Sequence, residues 1–230
     1  MSRITITNTP MAITAQQRAS RREMPPGELR HRVVPAKPNP GGMQVIGIGA
    51  SAGGPAALAH ILKYIPANFS IGIVVVQHID AHFAPALVNW LGNQSALRVR
   101  LAEDGETPAA GTVLLAGQEQ HLVMCADGSL RYTEQPVQCG YRPSVDVFFE
   151  SLAEHWRGRV TGVILTGMGR DGARGLLRLR LAGHDTIAQD EASSGIYGMP
   201  KAAAELRAAR KVLGLNRIGP YLGALGTMPA

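Results

Sequence analysis

Apolar residues dominate short runs at several points of the chain. The clearest runs are 45–48, 71–76 and 160–165, which are apolar apart from single glycines and Thr161. Such runs are typical of parallel strands that are covered on both faces of a sheet. Segments with helical spacing of apolar residues, such as 144–157, lie between them. The alternation predicts an α/β fold with a doubly wound, mostly parallel sheet, helices on both faces and a small antiparallel hairpin.

Local signals set the ends of the predicted elements. Pro55 and Pro200 each favour the start of a helix, because a proline in the first turn loses no hydrogen bond. Asp127-Gly128 predicts the turn of the hairpin, and Asn216 is the predicted cap of the last helix. The predicted strands are 45–48, 71–76, 98–101, 112–116, 121–125, 130–133, 160–165, 186–189 and 212–213. The predicted helices are 55–65, 83–94, 144–157 and 173–182, one opened by Pro200 and one capped by Asn216.

The first 42 residues differ from the rest in composition. They contain six prolines and no sustained periodicity, so we expect a disordered basic arm at 1–42 and a catalytic domain at 43–230. Seven basic and two acidic side chains lie in the arm, which therefore carries +5 of the formal net charge of +6. Because the remainder is close to neutral, the basic balance does not predict a nucleic-acid partner.

Several classes of protein are disfavoured by composition. No apolar stretch is long enough to cross a bilayer, and no secretory signal is evident, so membrane insertion is not expected. Cys125 and Cys139 are too few for a disulfide framework and lack the spacing of metal ligands. We therefore expect a cytoplasmic protein without a metal or other cofactor.

The glycine-rich turn after the first strand has two interpretations. Residues 49–53, Gly-Ala-Ser-Ala-Gly, match the G-x-S-x-G pattern that exposes a nucleophilic serine between a strand and a helix. Gly47, Gly49 and Gly53 also approximate a dinucleotide-binding fingerprint, with one residue too many before the third glycine. This turn alone does not decide between the two.

The residues at the ends of the other predicted strands favour the interpretation of Ser51 as a nucleophile. In doubly wound sheets the site lies beyond the carboxyl ends of the strands. That rule brings together Ser51, Gln77, His78, the loop 166–172, Gln189 and Asp190. A serine needs a base and the base needs an orienting carboxylate. His78 is the best-placed base, Asp171 is the best-placed carboxylate, and Asp190 is the alternative carboxylate.

Five motifs in this order resemble one family. Residues 49–55 (GASAGGP), 75–78 (VVQH), 142–147 (RPSVDV), 165–173 (LTGMGRDGA) and 197–203 (YGMPKAA) resemble the bacterial chemotaxis protein-glutamate methylesterases of the CheB family. The resemblance implies a catalytic triad of Ser51, His78 and Asp171. It also implies that the backbone N–H of Met168 stabilises the oxyanion, with Ala52 as a possible second donor. Other members often carry threonine at the position of Ala52.

The resemblance also implies a substrate and a reaction. Family members hydrolyse glutamate γ-methyl esters, and deamidate certain glutamines, on the cytoplasmic helices of chemoreceptors. A receiver domain usually precedes their catalytic domain and controls it through phosphorylation. Only 42 residues precede the matching region here, so no phosphoryl control within the chain is inferred.

Two other functions remain open at this point. A dinucleotide-binding oxidoreductase would carry an acidic residue at the end of the second strand to bind the ribose. Gln77 and His78 stand there instead, which argues against it. A silent receptor-binding scaffold would have an incomplete triad, whereas all three residue types are present.

Overall fold

The computed structural model describes residues 43–226, and the predicted arm at 1–42 lies outside them. Seven parallel strands form one sheet in the order β3-β4-β2-β1-β7-β8-β9, and β5 pairs antiparallel with β6. The strands are β1 (Gln44–Ala50), β2 (Gly72–Gln77), β3 (Arg98–Leu101), β4 (Thr112–Leu115), β5 (His121–Met124), β6 (Leu130–Thr133), β7 (Arg159–Ile164), β8 (Asp185–Gln189) and β9 (Lys211–Leu213). The helices are α1 (Gly54–Leu62), α2 (Ala84–Gly92), α3 (Val145–His155), α4 (Ala173–Leu181), α5 (Met199–Glu205) and α6 (Leu215–Leu225). The predicted fold class is confirmed.

Helices cover both faces of the sheet because successive strand residues point to opposite sides. In β2, Ile73 and Val75 pack into the hydrophobic cluster under α1, α2 and α6. Val74 and Val76 pack into the cluster formed with α3, α4, α5 and the hairpin. Both faces of the strand are therefore buried, which explains its continuous apolar sequence.

Two glycines in β1 determine how closely α3 approaches the sheet. A Cβ atom at Gly49 would collide with the side chain of Val145, and one at Gly47 would be 3.0 Å from Leu152 Cδ1. The absence of side chains lets the first turn of α3 lie directly over the end of β1. This close approach brings the N-terminus of α3 to the carboxyl edge of the sheet.

One predicted cap is wrong. Asn216 is the second residue of α6 rather than its cap, and Gly214 occupies the N-cap position. The backbone N–H of Leu215 donates instead to Ser193 Oγ at 2.9 Å, so the loop after β8 caps the helix. Among residues 43–226, no helix combines the length and apolar character that a bilayer crossing requires.

Candidate active site

Ser51 lies in the tight turn between β1 and α1. Its backbone N–H donates to Thr166 O at 3.1 Å, and its carbonyl accepts from Gly54 N at 2.8 Å. Gly53 has a φ of +79°, and a Cβ there would be 3.2 Å from the Thr166 side chain. The turn is thus closed by backbone contacts with the end of β7, while the hydroxyl of Ser51 has no hydrogen-bond partner among residues 43–226.

His78 follows directly after β2, the strand beside β1. Its backbone N–H donates to Ala50 O at 2.9 Å. On the ring, Nε2 lies 2.8 Å from Asp171 Oδ2, and Nδ1 is buried without a partner in the described part of the chain. Nε2 therefore carries the proton in the neutral ring, which leaves a lone pair on Nδ1.

Asp171 comes from the loop after β7 and is only 8% exposed. Each carboxylate oxygen accepts two hydrogen bonds. Oδ2 accepts from His78 Nε2 and, at 2.7 Å, from Val145 N. Oδ1 accepts from Ser144 Oγ at 2.8 Å and from Asp146 N at 3.0 Å. Burial raises the pKa of Asp171, but these hydrogen bonds outweigh it and lower the pKa below its usual value, so the carboxylate stays ionised.

Three of the four donors to Asp171 lie at the N-terminus of α3, where backbone N–H groups lack partners within the helix. Ser144 is the N-cap residue, and its hydroxyl both accepts from Val147 N and donates to Asp171. Its own N–H donates to His121 Nδ1 at 3.1 Å, and His121 Nε2 donates to Pro136 O at 3.3 Å. Burial lowers the pKa of His121, which keeps this ring neutral. Sequence reasoning predicted a helix start here and missed both contacts.

Gln77 connects the two strand ends that carry the serine and the histidine. Its side chain is 2% exposed, and Nε2 donates to Ser51 O at 2.9 Å and to His78 O at 3.0 Å. One amide therefore fixes the backbone of both residues. The sequence placed Gln77 at this edge without a role, because a glutamine at a strand end gives no local sign of its partners.

The peptide between Gly167 and Met168 is oriented by α5. Gly167 O accepts from Gly198 N at 3.1 Å and from Met199 N at 2.9 Å. Because C=O and N–H point in opposite directions across a trans peptide, the N–H of Met168 points away from α5. Neither this N–H nor that of Ala52 has a partner among residues 43–226. Both are free to donate to a bound oxyanion.

The alternative carboxylate, Asp190, is engaged elsewhere. Its Oδ1 accepts from the backbone N–H of Ser193 at 3.0 Å and from the Ser193 hydroxyl at 2.6 Å. The neighbouring Gln189 accepts from Thr166 N at 2.8 Å and so supports the loop beside Ser51. Of the two candidates, Asp171 is the carboxylate that contacts His78.

Tyr141 forms one wall of the cleft. Its ring is stacked on His78, with centroids 4.4 Å apart and an angle of 5° between the planes. One cavity of about 370 Å³ is lined by residues that include Asp171 and Arg174, and another of about 470 Å³ by residues that include His78 and Arg142. Tyr141 lines both cavities.

Comparison with known proteins identifies the family. A family model described as CheB methylesterase matches residues 46–222. A protein-glutamate methylesterase/protein-glutamine glutaminase from Burkholderia lata is 58% identical over 185 residues, which are 80% of this chain and 55% of the relative. A relative of the same description from Pseudomonas aeruginosa is 53% identical over 191 residues, 83% of this chain and 57% of its own.

A solved structure agrees. The crystal structure of the Thermotoga maritima CheB methylesterase catalytic domain matches with a TM-score of 0.76 and 35% identity, over 80% of this chain and 99% of that one. The chain spans little more than half the length of the curated relatives that it matches. It belongs to the CheB methylesterase family.

Proposed function

We propose that this chain hydrolyses glutamate γ-methyl esters on the cytoplasmic domains of methyl-accepting chemoreceptors, and that it also deamidates specific glutamines there. The observation that carries the proposal is the His78–Asp171 pair beside the exposed turn of Ser51. The names of the relatives, protein-glutamate methylesterase/protein-glutamine glutaminase, support the substrate class. Methanol and a receptor glutamate are the products of the first reaction.

In the first step, Ser51 Oγ attacks the ester carbonyl carbon while His78 Nδ1 accepts the hydroxyl proton. The imidazolium that forms keeps its Nε2–H on Asp171, whose carboxylate balances the new charge. The carbonyl oxygen becomes an oxyanion that accepts from the free N–H groups of Met168 and Ala52. The positive end of α1, which begins at Gly54, also faces this turn.

The tetrahedral intermediate then breaks its bond to the methoxy oxygen. His78 returns its proton to that oxygen, methanol leaves, and a glutamyl ester on Ser51 remains. Water attacks this ester with His78 as the base, Ser51 recovers its proton, and the glutamate is released. With a glutamine substrate, the same sequence releases ammonia in place of methanol.

The end of β2 argues against nucleotide binding. A ribose-binding acidic residue is expected there in a dinucleotide-binding fold. Gln77 occupies the position, and its amide nitrogen donates to two backbone carbonyls of the protein itself. The remaining alternative, a silent receptor-binding scaffold, predicts no turnover.

Receptor membranes carrying radiolabelled methyl groups test the proposal. The chain should release labelled methanol, and the Ser51→Ala variant should not. Circular dichroism and thermal unfolding of both proteins show whether the variant is folded. No release by either protein would contradict the esterase and favour the scaffold, whereas equal release by the two would exclude Ser51 as the nucleophile.

A further inference from the structure

We propose that Tyr141 is a positioning residue that keeps the imidazole of His78 aimed at Ser51 and stabilises the imidazolium formed during attack. The proposal deepens the esterase function and rests on it. It starts from the stacked pair of rings, 4.4 Å apart and almost parallel. Offset or parallel stacking of this kind restrains both rings and is favourable beyond the burial of apolar area.

The ring of His78 has a single in-plane anchor among residues 43–226. Nε2 is fixed by Asp171, whereas Nδ1 has no partner. A ring anchored at one atom can rock about that contact, and rocking would swing Nδ1 away from the serine hydroxyl. The face of Tyr141 opposes this motion because it covers one side of the ring. Misplacement of a catalytic group by about 1 Å can cost on the order of 100-fold in rate.

The hydroxyl of Tyr141 lies close to the loop after β7. A Cβ atom at Gly169 would lie 2.7 Å from the Tyr141 hydroxyl oxygen, so the tyrosine reaches the loop that also carries Met168. Gly169 has a φ of +87° and its lack of a side chain makes this approach possible. In the loop before α3, which carries Tyr141 itself, Arg142 Nη2 donates to Val137 O at 2.9 Å.

Exposure indicates a role other than core packing. Tyr141 is 42% exposed and is not part of either hydrophobic cluster. A solvent-facing aromatic ring contributes little to the core, yet this one covers His78. The face of an aromatic ring carries negative potential, so it attracts the imidazolium more than the neutral ring. The contact therefore strengthens as Ser51 attacks, which is the condition for raising kcat.

Three variants separate the ring from other features of the site. Tyr141→Phe retains the aromatic face, and Tyr141→Leu retains apolar bulk without it. Trp90→Leu is the matched control, because Trp90 is an aromatic residue on α2 with a similar exposure of 44%. We expect Tyr141→Leu to lose about 3- to 30-fold in kcat with KM within twofold of wild type. Tyr141→Phe and Trp90→Leu should remain within twofold of wild type.

NMR of the full chain provides a readout that does not need turnover. Ring currents from Tyr141 should shift the ring protons of His78 upfield in wild type and in Tyr141→Phe, but not in Tyr141→Leu. Relaxation of the labelled His78 ring should show larger motion only in Tyr141→Leu. A His78→Gln variant assigns the signals.

Each outcome decides the proposal. It is overturned if Tyr141→Leu retains the kcat of an active wild type, or if Tyr141→Phe falls as far as Tyr141→Leu. It is also overturned if the wild-type His78 signals lack the upfield shift. Absence of esterase activity from the wild-type chain would instead contradict the proposed function. The NMR comparison would still test whether Tyr141 restrains the ring.

Discussion

His78 presents Nε2 rather than Nδ1 to Asp171, at a distance of 2.8 Å. In the serine proteases the carboxylate accepts from Nδ1–H and the serine faces Nε2. The ring therefore presents the opposite edge to its carboxylate, and Nδ1 is the atom left to accept a proton. In the mechanism proposed above, that proton comes from Ser51.

Replacing the proposed nucleophile should have the largest effect on turnover. Ser51→Ala is expected to reduce esterase kcat by on the order of 10⁶, because no other described group can form the acyl intermediate in this turn. Released methanol measures the loss. Ser70→Ala is the control, since the hydroxyl of Ser70 donates to Gly226 O at the far end of the chain. Activity of Ser51→Ala within tenfold of wild type would remove Ser51 from the mechanism.

The two candidate carboxylates, Asp171 and Asp190, can be compared through the same substitution to asparagine. Asp171→Asn should lower kcat by roughly 10²–10⁴ with little change in KM, because an amide reverses the tautomer of His78. It should also unfold at a lower temperature, since an amide nitrogen would face N–H donors that now bind a carboxylate oxygen. Asp190→Asn should keep nearly full kcat. The opposite ranking of the two variants would transfer the orienting role to Asp190.

Removing the Ser144 hydroxyl should reveal how far Asp171 depends on its neighbours. Ser144→Ala deletes both the N-cap of α3 and one of four hydrogen bonds to the carboxylate. We expect a loss of about 1–3 kcal/mol in the free energy of unfolding and a smaller loss of kcat than in Asp171→Asn. Urea denaturation and methanol release measure the two effects, and Ser144→Thr should restore most of both. A variant as stable as wild type would show that the cap contributes nothing.

Acid should destabilise the fold partly through His184. This side chain is 3% exposed, and burial lowers its pKa from 6.5 to about 4. The unfolded chain therefore binds the proton more readily than the folded one. The contribution of neutral His184 to the free energy of unfolding is fully present above pH 6.5. It falls by up to about 3 kcal/mol as the pH drops towards 4.

Urea denaturation at several pH values checks this expectation. His184→Asn should flatten the curve between pH 6.5 and 4, because Asn offers Val160 N an acceptor without a titrating ring. His82→Asn, at an exposed position, should leave the curve unchanged. An unaltered slope in His184→Asn would assign the acid sensitivity to other groups.

The sequence was sufficient for the fold because both faces of the central strands are buried. In β2 this requirement leaves a continuous apolar run that cannot be read as an amphipathic helix. The same topology places Ser51, His78 and the loop of Asp171 at one edge, since parallel strands end together. These assignments needed no knowledge of side-chain contacts.

The finer features depend on how separate elements cross. Asp171 contacts Nε2 of His78 and the hydroxyl of Ser144 because α3 lies over Gly49. The hydrogen bond from Gln77 to Ser51 O and the stacking of Tyr141 on His78 are likewise tertiary contacts. Asn216 shows the same limit, because a loop distant in sequence supplied the cap that a local pattern had assigned to it.

The order β2-β1-β7 also has a consequence for folding. β1 and β2 are consecutive along the chain, whereas the pairing of β7 with β1 closes a loop of residues 51–158. Closing such a segment costs chain entropy that local contacts do not repay, so this pairing is expected late on the folding pathway. Ser51 and His78 arrive with the early strands, but Asp171 arrives with the late one. Under the proposed mechanism, hydrolytic activity should therefore be recovered last during refolding, and its recovery should report completion of the sheet.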